Sequence, residues 1–516
     1  MFSSRGGDRA DLAGGTVGLP QIERARTSCA ARFAVVTSAE HEERDQAYDQ
    51  AREQDDAELR AALTRVLGQL VREEPAARRG DDLMPVLDAH LGVTADTLPV
   101  VVEPVPAHRW ADTDIALAAV AARDPAARLV GVGGGDQRHH SSLGDLMAHA
   151  EWGRFRTGQV DRLNVATGPD TERATVAFGM HLFHHDGSPV VVLQRTGNPQ
   201  HGSEPRLEVL GAEPDAVTSL LSELREQAMR HSVLWRQVVS FSGSPYERSL
   251  SGVTFHHRPL VPAEHVVLPE GTLEQVRAHV VGLAEHRDRL LAKGQHLKRG
   301  VLLYGPPGTG KTHTVRHLVG ATSDTTVVLL SGTQMVHVAA AAQIARAHQP
   351  AIVVIEDCDL IAEDRDHHYG GGPSPMLFTL LDAMDGLDAD ADVVFLLTTN
   401  RAEALERALA QRPGRVDLAV EVPLPDEPAR RALIELYGTQ VGFSPEAVAR
   451  AARDSAGTTA SYAKELVRRA VLLAAVDERE PGDEDLVAAS AALQSDSAAL
   501  TRALLGSTDP APRGRS

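Results

Sequence analysis

Apolar positions change period several times along the chain, and each change marks a different kind of element. Between about His41 and Val71, Leu59, Ala62, Leu63, Val66, Leu67 and Leu70 recur at helical spacing opposite a charged face, which predicts an amphipathic helix. A shorter helix is expected over 81–91, with Gly92 as its C-cap. From about 98 to 243 the pattern becomes mixed. Strands are expected at Val100–Val102, Thr175–Phe183, Val190–Gln194 and Arg206–Leu210, with turn signals such as His-Asp-Gly-Ser between them. A helix from Pro214 to about Gln237 follows, carried by Val217, Leu220, Leu221, Leu224 and Met229. Further on, three unbroken apolar runs, at 301–304, 351–355 and 393–397, read as strands, the middle one as a strand buried on both faces of a parallel sheet. Helical patterns close the chain at 428–437, 444–454, 460–475 and 484–505.

Composition narrows the class. The chain has 516 residues, 42% of them hydrophobic and 24% charged, an ordinary globular balance with room for several cores. Residues 1–28 are rich in Gly, Arg and Ser without periodicity and are expected to be disordered. No apolar run reaches the roughly 18–20 residues of a membrane-spanning helix, and MFSSRGGDRADLAGG has no secretory core. Cys29 and Cys358 are the two cysteines, too few for a disulfide framework, so a reducing cytoplasm is expected. A net charge of −19 disfavours nucleic acid as the main partner. GVGGG at 131–135 lacks the rest of a dinucleotide fingerprint and reads as a loop. His139, His140, His181, His184 and His185 lack partners at metal-ligand spacing.

Chemistry concentrates in one stretch. VLLYGPPGTGKT at 301–312 runs a strand into a complete phosphate-binding loop. Its glycines let main-chain N–H groups curl around a phosphate, and the helix starting at Lys311 aims its positive end there. Gly305, Pro306, Pro307, Gly308, Thr309, Gly310, Lys311, Thr312 and His313 form the candidate nucleotide-phosphate site. Lys311 neutralises the β- and γ-phosphates, and Thr312 offers a hydroxyl to Mg²⁺. The lysines of the chain are Lys293, Lys298, Lys311 and Lys464, so one inside a motif stands out. AIVVIEDCD at 351–359 ends a buried strand in Glu356-Asp357. One carboxylate is expected in the Mg²⁺ shell, and the other against the attacking water. Cys358 beside them reads as a small buried residue. VVFLLTTN at 393–400 ends in Asn400, an amide able to reach the γ-phosphate or its water. Arg412 and Arg415 lie in the Pro/Gly-broken RPGRVD segment.

In combination these motifs resemble the AAA clade of the AAA+ ATPases over about 250–500. GPPGTGKT is similar to Walker A, VVIED to Walker B, TTN to sensor 1, and RPGRVD to the end of the second region of homology. The resemblance implies a hexameric ring with a helical lid after the sheet and Gly457 and Thr458 approaching the nucleotide. It also implies Asn400 as sensor 1, and Arg412 and Arg415 as arginine fingers reaching a neighbouring subunit. The Glu-Asp order puts Glu356 at the magnesium position and Asp357, shorter by one methylene (about 1.5 Å), at the water-activating one. The pore-loop stretch SGTQMVHVAAAAQIARAHQP at 331–350 has no aromatic residue, leaving Met335, Val336 and His337 as its bulky side chains.

The fold expected is therefore α/β: a P-loop NTPase parallel sheet with a C-terminal helical lid, preceded by an N-terminal helical region and an α+β domain. The expected divisions are 1–28 disordered, 29–95 helical, 96–245 α+β for partner or substrate selection, 246–425 AAA+ ATPase, 426–505 lid, and 506–516 a disordered tail. The expected activity is hydrolysis of ATP, with Mg²⁺, coupled in a homo-oligomeric cytoplasmic ring to remodelling of an unidentified protein. The alternative is a slow-turnover, nucleotide-dependent assembly switch or scaffold. A nucleic-acid motor is disfavoured, and no membrane is expected.

Overall fold

In a computed structural model the described residues are 80–495, apart from 135–137, 140, 151–154, 198–203, 243–251, 283–285, 359–374, 387–390 and 402–414. The helix expected over 41–71 and the two terminal segments expected to be disordered lie outside them. Among the described residues no helix is long and apolar enough to cross a membrane.

The first sheet is antiparallel. It comprises Val101–Pro104 (β1), Arg128–Val132 (β2), Thr157–Gly158 (β3), Asp161–Ala166 (β4), Glu172–His185 (β5), Ser188–Arg195 (β6) and Arg206–Gly211 (β7), in the order β1-β7-β6-β5-β2-β3 with β4 beside β5. Asp186 and Gly187 join β5 to β6 with φ of 49° and 82°. A two-residue type I′ hairpin turn needs positive φ at both positions. Alternation then sorts the side chains. Phe183, Val190 and Val192 face helices Trp110–Ala121 (α2) and Pro214–Arg230 (α4). Phe178, Met180, Leu182, Val191 and Leu193 face helices Leu83–Leu91 (α1) and Leu143–Ala150 (α3). Covering both faces explains why these strands read as apolar runs rather than clean alternations.

The structure ends α4 at Arg230, short of the expected Gln237. The buried carboxylate of Asp112 on α2 accepts from Ser232 Oγ (2.6 Å) and Val233 N (2.7 Å), which turns the chain away. The β-branched pair that follows opens strand Val238–Phe241 (β8), and this strand belongs to the second sheet, ahead of the division expected at 246. Val253–His256 (β9), Arg299–Tyr304 (β10), Thr326–Leu330 (β11), Ala351–Ile355 (β12), Val393–Thr399 (β13) and Leu418–Glu421 (β14) complete that sheet in the order β14-β10-β13-β12-β11-β8-β9. Its pairs are parallel except β8 with β9.

Short helices Thr272–Arg277 (α5) and Arg287–Leu291 (α6) precede β10. Ile352, Val354, Val394 and Leu396 pack towards helix Lys311–Gly320 (α7) and α5. Val353, Ile355, Phe395 and Leu397 pack on helices Val338–Ala347 (α8) and Pro375–Asp385 (α9). The C-terminal bundle comprises Glu427–Tyr437 (α10), Pro445–Asp454 (α11), Ala460–Val476 (α12) and Asp483–Gln494 (α13). Side chains of Asp426, Ser444 and Thr459 cap the first three of these helices.

At the amino ends of β10 and β13, Arg299 donates to Asp392 at 2.9 Å, with both side chains almost wholly buried. Removing one partner strands a charge, so Asp392→Ala should destabilise the fold by about 3–5 kcal/mol. Urea denaturation followed by circular dichroism checks this, and a loss below about 1 kcal/mol would mean that the pair carries no such weight.

Candidate active site at the carboxyl edge of the parallel sheet

The loop after β10 is built on left-handed glycines: Gly305, Gly308 and Gly310 have φ of 144°, 77° and 110°. A Cβ at Gly305 would run into the Val422 carbonyl, and one at Gly308 would lie 3.0 Å from Ser461 Oγ and 3.1 Å from Thr459 Oγ1. Gly310 is the N-cap of α7 and supplies no side-chain cap, so the first turn's N–H groups face the loop without a side-chain acceptor at the cap. Lys311 is nearly buried, with Nζ 2.8 Å from the carbonyl oxygens of both Gly305 and Pro306. Thr309 Oγ1 also donates to Pro306 O (2.9 Å). A buried ammonium coordinated by loop carbonyls, beside an uncapped helix start, suits a polyphosphate.

Strand β12 lies between β11 and β13 with all five residues buried. Its carboxylates emerge at the end and diverge. The Glu356 main-chain N–H donates to Leu330 O (2.9 Å), and its half-buried side chain accepts from Thr312. Burial pushes the Glu356 carboxyl up, helped by the neighbouring Asp357 charge and opposed by Arg316 and the Thr312 hydroxyl. A hydroxyl and a carboxylate in contact form a hard-oxygen pair of the kind Mg²⁺ takes. Asp357 is exposed and left-handed, with φ of 53°. Its N–H donates to Thr398 Oγ1 (3.1 Å), and its Oδ1 accepts from Asn400 Nδ2 (3.3 Å). Cys358 turns inward, its N–H donating to Thr398 O (2.8 Å).

Register brings the motifs together. Tyr304 pairs with Thr399, and Ile355 with Leu397, so Gly305, Glu356 and Asn400 share one edge. The bundle reaches the same edge, because Ser461 at the start of α12 donates its N–H to Gly308 O (3.1 Å). Gly457 is left-handed at φ 76° and Thr458 is buried just after it. His313 points elsewhere, its Nε2 3.1 Å from His265 O, and burial draws its pKa down. Arg316, Thr398 and Ser461 belong to this neighbourhood and were not legible as site residues. Arg316 lies beyond the motif, Thr398 reads as strand, and Ser461 is remote in sequence.

Arg412 lies outside the described residues. Arg415 is inward-facing: it is 9% exposed, its Nε donates to Asp385 Oδ1 at the end of α9 (2.6 Å), and Nη2 engages Oδ2. In this structure its guanidinium serves its own chain and is not presented outward. Of the pore-loop candidates, Met335 is buried, Val336 is 64% exposed, and His337 stacks on Phe241 at 4.6 Å.

Comparison with known proteins matches the family model described as "ATPase family associated with various cellular activities (AAA)" to residues 301–424. ATP-dependent zinc metalloprotease FtsH 1 of Symbiobacterium thermophilum is 32% identical over 290 residues, covering 52% of this chain and 48% of that protein. Proteasome-activating nucleotidase 1 of Haloferax volcanii is 27% identical over 255 residues, covering 46% and 62%. The 26S protease regulatory subunit 6A of Caenorhabditis elegans is 29% identical over 213 residues, covering 39% and 49%. The chain thus spans about half to three-fifths of the length of these curated relatives.

The Gly308 geometry yields a test. Ala at a left-handed position costs about 1–2 kcal/mol, and here its methyl also presses on Ser461 and Thr459. Gly308→Ala should weaken binding of a fluorescent ATP analogue by about tenfold, measured by anisotropy titration. Unchanged affinity would show that the loop and the bundle move apart freely.

Proposed function

The chain belongs to the AAA+ ATPase superfamily, and on that premise we propose that it hydrolyses ATP as a cytoplasmic homo-oligomeric ring, hexameric in the manner of the family, and remodels a protein partner selected by its α+β domain. The observation that carries the reading is the convergence of Lys311, the Thr312–Glu356 contact, Asp357 and Asn400 on one sheet edge. Lys311 moves onto the β- and γ-phosphates from the loop carbonyls that hold it. Thr312 and Glu356 would hold Mg²⁺, whose charge offsets that of the phosphates. Asp357 accepts the proton of the attacking water, and Asn400 orients that carboxylate and the water between them. Arg412 of a neighbouring subunit supplies the cation for the γ-phosphate, and Arg415 joins it on leaving Asp385.

A second reading is a slow-turnover switch in which ATP binding sets assembly. The inward-facing Arg415 favours it, because a finger paired with its own chain withholds charge from the transition state. The relatives named as a metalloprotease, a proteasome-activating nucleotidase and a protease subunit favour a protein substrate over nucleic acid.

Asp357→Asn should retain ATP while turnover falls about 10²–10⁴-fold, the usual worth of a general base. Isothermal titration alongside phosphate release separates the two effects. If Glu356→Gln gives that phenotype instead, the two carboxylates have been assigned in the wrong order.

The ring is tested by complementation. Arg412→Ala and Lys311→Ala should each be inactive alone, an arginine finger being worth about 10³-fold or more. Mixed at a concentration where size exclusion shows assembly, they should regain phosphate release. Some interfaces then pair an intact loop with an intact finger. Mixed assembly without recovery would favour the switch.

A further inference from the structure

Among the described residues, strand β1 ends the first sheet, with β7 as its one neighbour. Its register pairs Val101 with Val209 and Glu103 with Leu207, and Val105 N–H donates to Pro205 O at 2.8 Å. Hydrogen-bonding residues alternate along an antiparallel ladder, so Val101, Glu103 and Val105 face β7. The N–H and C=O of Val102 face away from the sheet. The side chains of Val101 and Val102 are 38% and 49% exposed. Helix α4 runs beside this edge, its Arg225 bonded to both oxygens of Glu103 at 2.7 Å.

Between the end of β1, the turn Ala107–Arg109 and α4 opens a cavity of about 260 Å³ whose walls include Val105, Leu207, Leu221, Leu224 and Ala228. Its volume is below the usual range for a drug-sized ligand and suits a single apolar side chain. Half-buried Arg109 lines it, and among the described residues its guanidinium makes no ion pair or hydrogen bond. Asp112, which acts on it through charge, is already committed to Ser232 and Val233. Pro104 has no N–H, so strand addition along this edge stops after Val102.

We propose that this edge and cavity bind the C-terminus of an extended polypeptide. Its last, apolar side chain fills the cavity, its main chain pairs with Val102, and its terminal carboxylate rests on Arg109. Main-chain pairing supplies affinity that is indifferent to sequence, and the cavity supplies selectivity. A carboxylate against a half-buried guanidinium forms the stronger, charge-assisted class of hydrogen bond. The short strand and Pro104 disfavour sheet-to-sheet aggregation and fit a chain end better than an internal segment. This inference rests on the reading that the α+β domain selects a protein partner.

The test uses the full chain without nucleotide and fluorescein-labelled hexapeptides Gly-Ser-Gly-Ser-Val-Leu, followed by anisotropy. The free-acid peptide should bind at least tenfold more tightly than its amide or than a peptide ending in Asp. Arg109→Gln should erase the difference between acid and amide while leaving amide binding as it was, a result that unfolding would not produce. Val102→Pro removes an outward N–H at an exposed site, so it should weaken both peptides and leave ATP turnover without peptide unchanged. Equal binding of acid and amide by the unaltered chain, or no binding at millimolar peptide, overturns the proposal. Peptide discrimination in a chain without ATP turnover would leave this site standing and overturn the ring ATPase. Turnover without discrimination would do the reverse.

Discussion

Burial of β10, β12 and β13 on both faces governs everything else in the site. A strand with helices above and below has no polar side on which to carry chemistry, so the first hydrophilic residues after each apolar run appear at its carboxyl end. Tyr304, Ile355 and Thr399 close three neighbouring strands at nearly the same level. The loop glycines, the two carboxylates and Asn400 are therefore neighbours, although some ninety residues separate the first from the last.

Within that edge, adjacent carboxylates acquire different surroundings. Strand direction sends Glu356 inward to Thr312 and Arg316, where burial raises its proton affinity. The left-handed turn at Asp357 swings the next side chain out to Asn400. A non-glycine residue held in that conformation carries strain, and here the Thr398 hydroxyl and Cys358's bond to the Thr398 carbonyl hold it in place. The two carboxylates proposed to face metal and water are thereby separated by geometry as well as by order in the chain.

The two sheets are joined by specific polar and aromatic contacts. Asp112, pushed up to about 6 chiefly by burial and opposed by its hydrogen bonds, holds the connection from α4 into β8. Phe241 of β8 stacks on His337 and meets His108 edge-on at 6.4 Å. Its carbonyl accepts from Gln334 (2.6 Å). His108, drawn down to about 4 by burial, packs there as a neutral ring. The turn that lines the β1 cavity and the segment after β11 thus touch one phenylalanine, a short physical path between the first sheet and the second.

Sequence alone determined the loop and the buried strands and singled out Lys311, Thr312, Glu356, Asp357 and Asn400 as candidates, because a phosphate loop has fixed local spacing and each of the other polar residues directly follows an apolar strand. The helices of the bundle were legible for a similar reason: their period is local, and Asp426, Ser444 and Thr459 cap from positions beside the elements they start. Tertiary structure alone decided the rest. The membership of Val238–Phe241 in the second sheet depends on Asp112, more than a hundred residues earlier. The partnership of Arg415 with Asp385 rests on the packing of α9, and the approach of Ser461 to Gly308 on the docking of the bundle. Arg109, whose guanidinium makes no hydrogen bond or ion pair among the described residues, stands beside an apolar cavity only once α2, α4 and β1 have converged. Periodicity reports which face of an element is buried, whereas these features depend on what lies across that face, and that is settled by long-range packing.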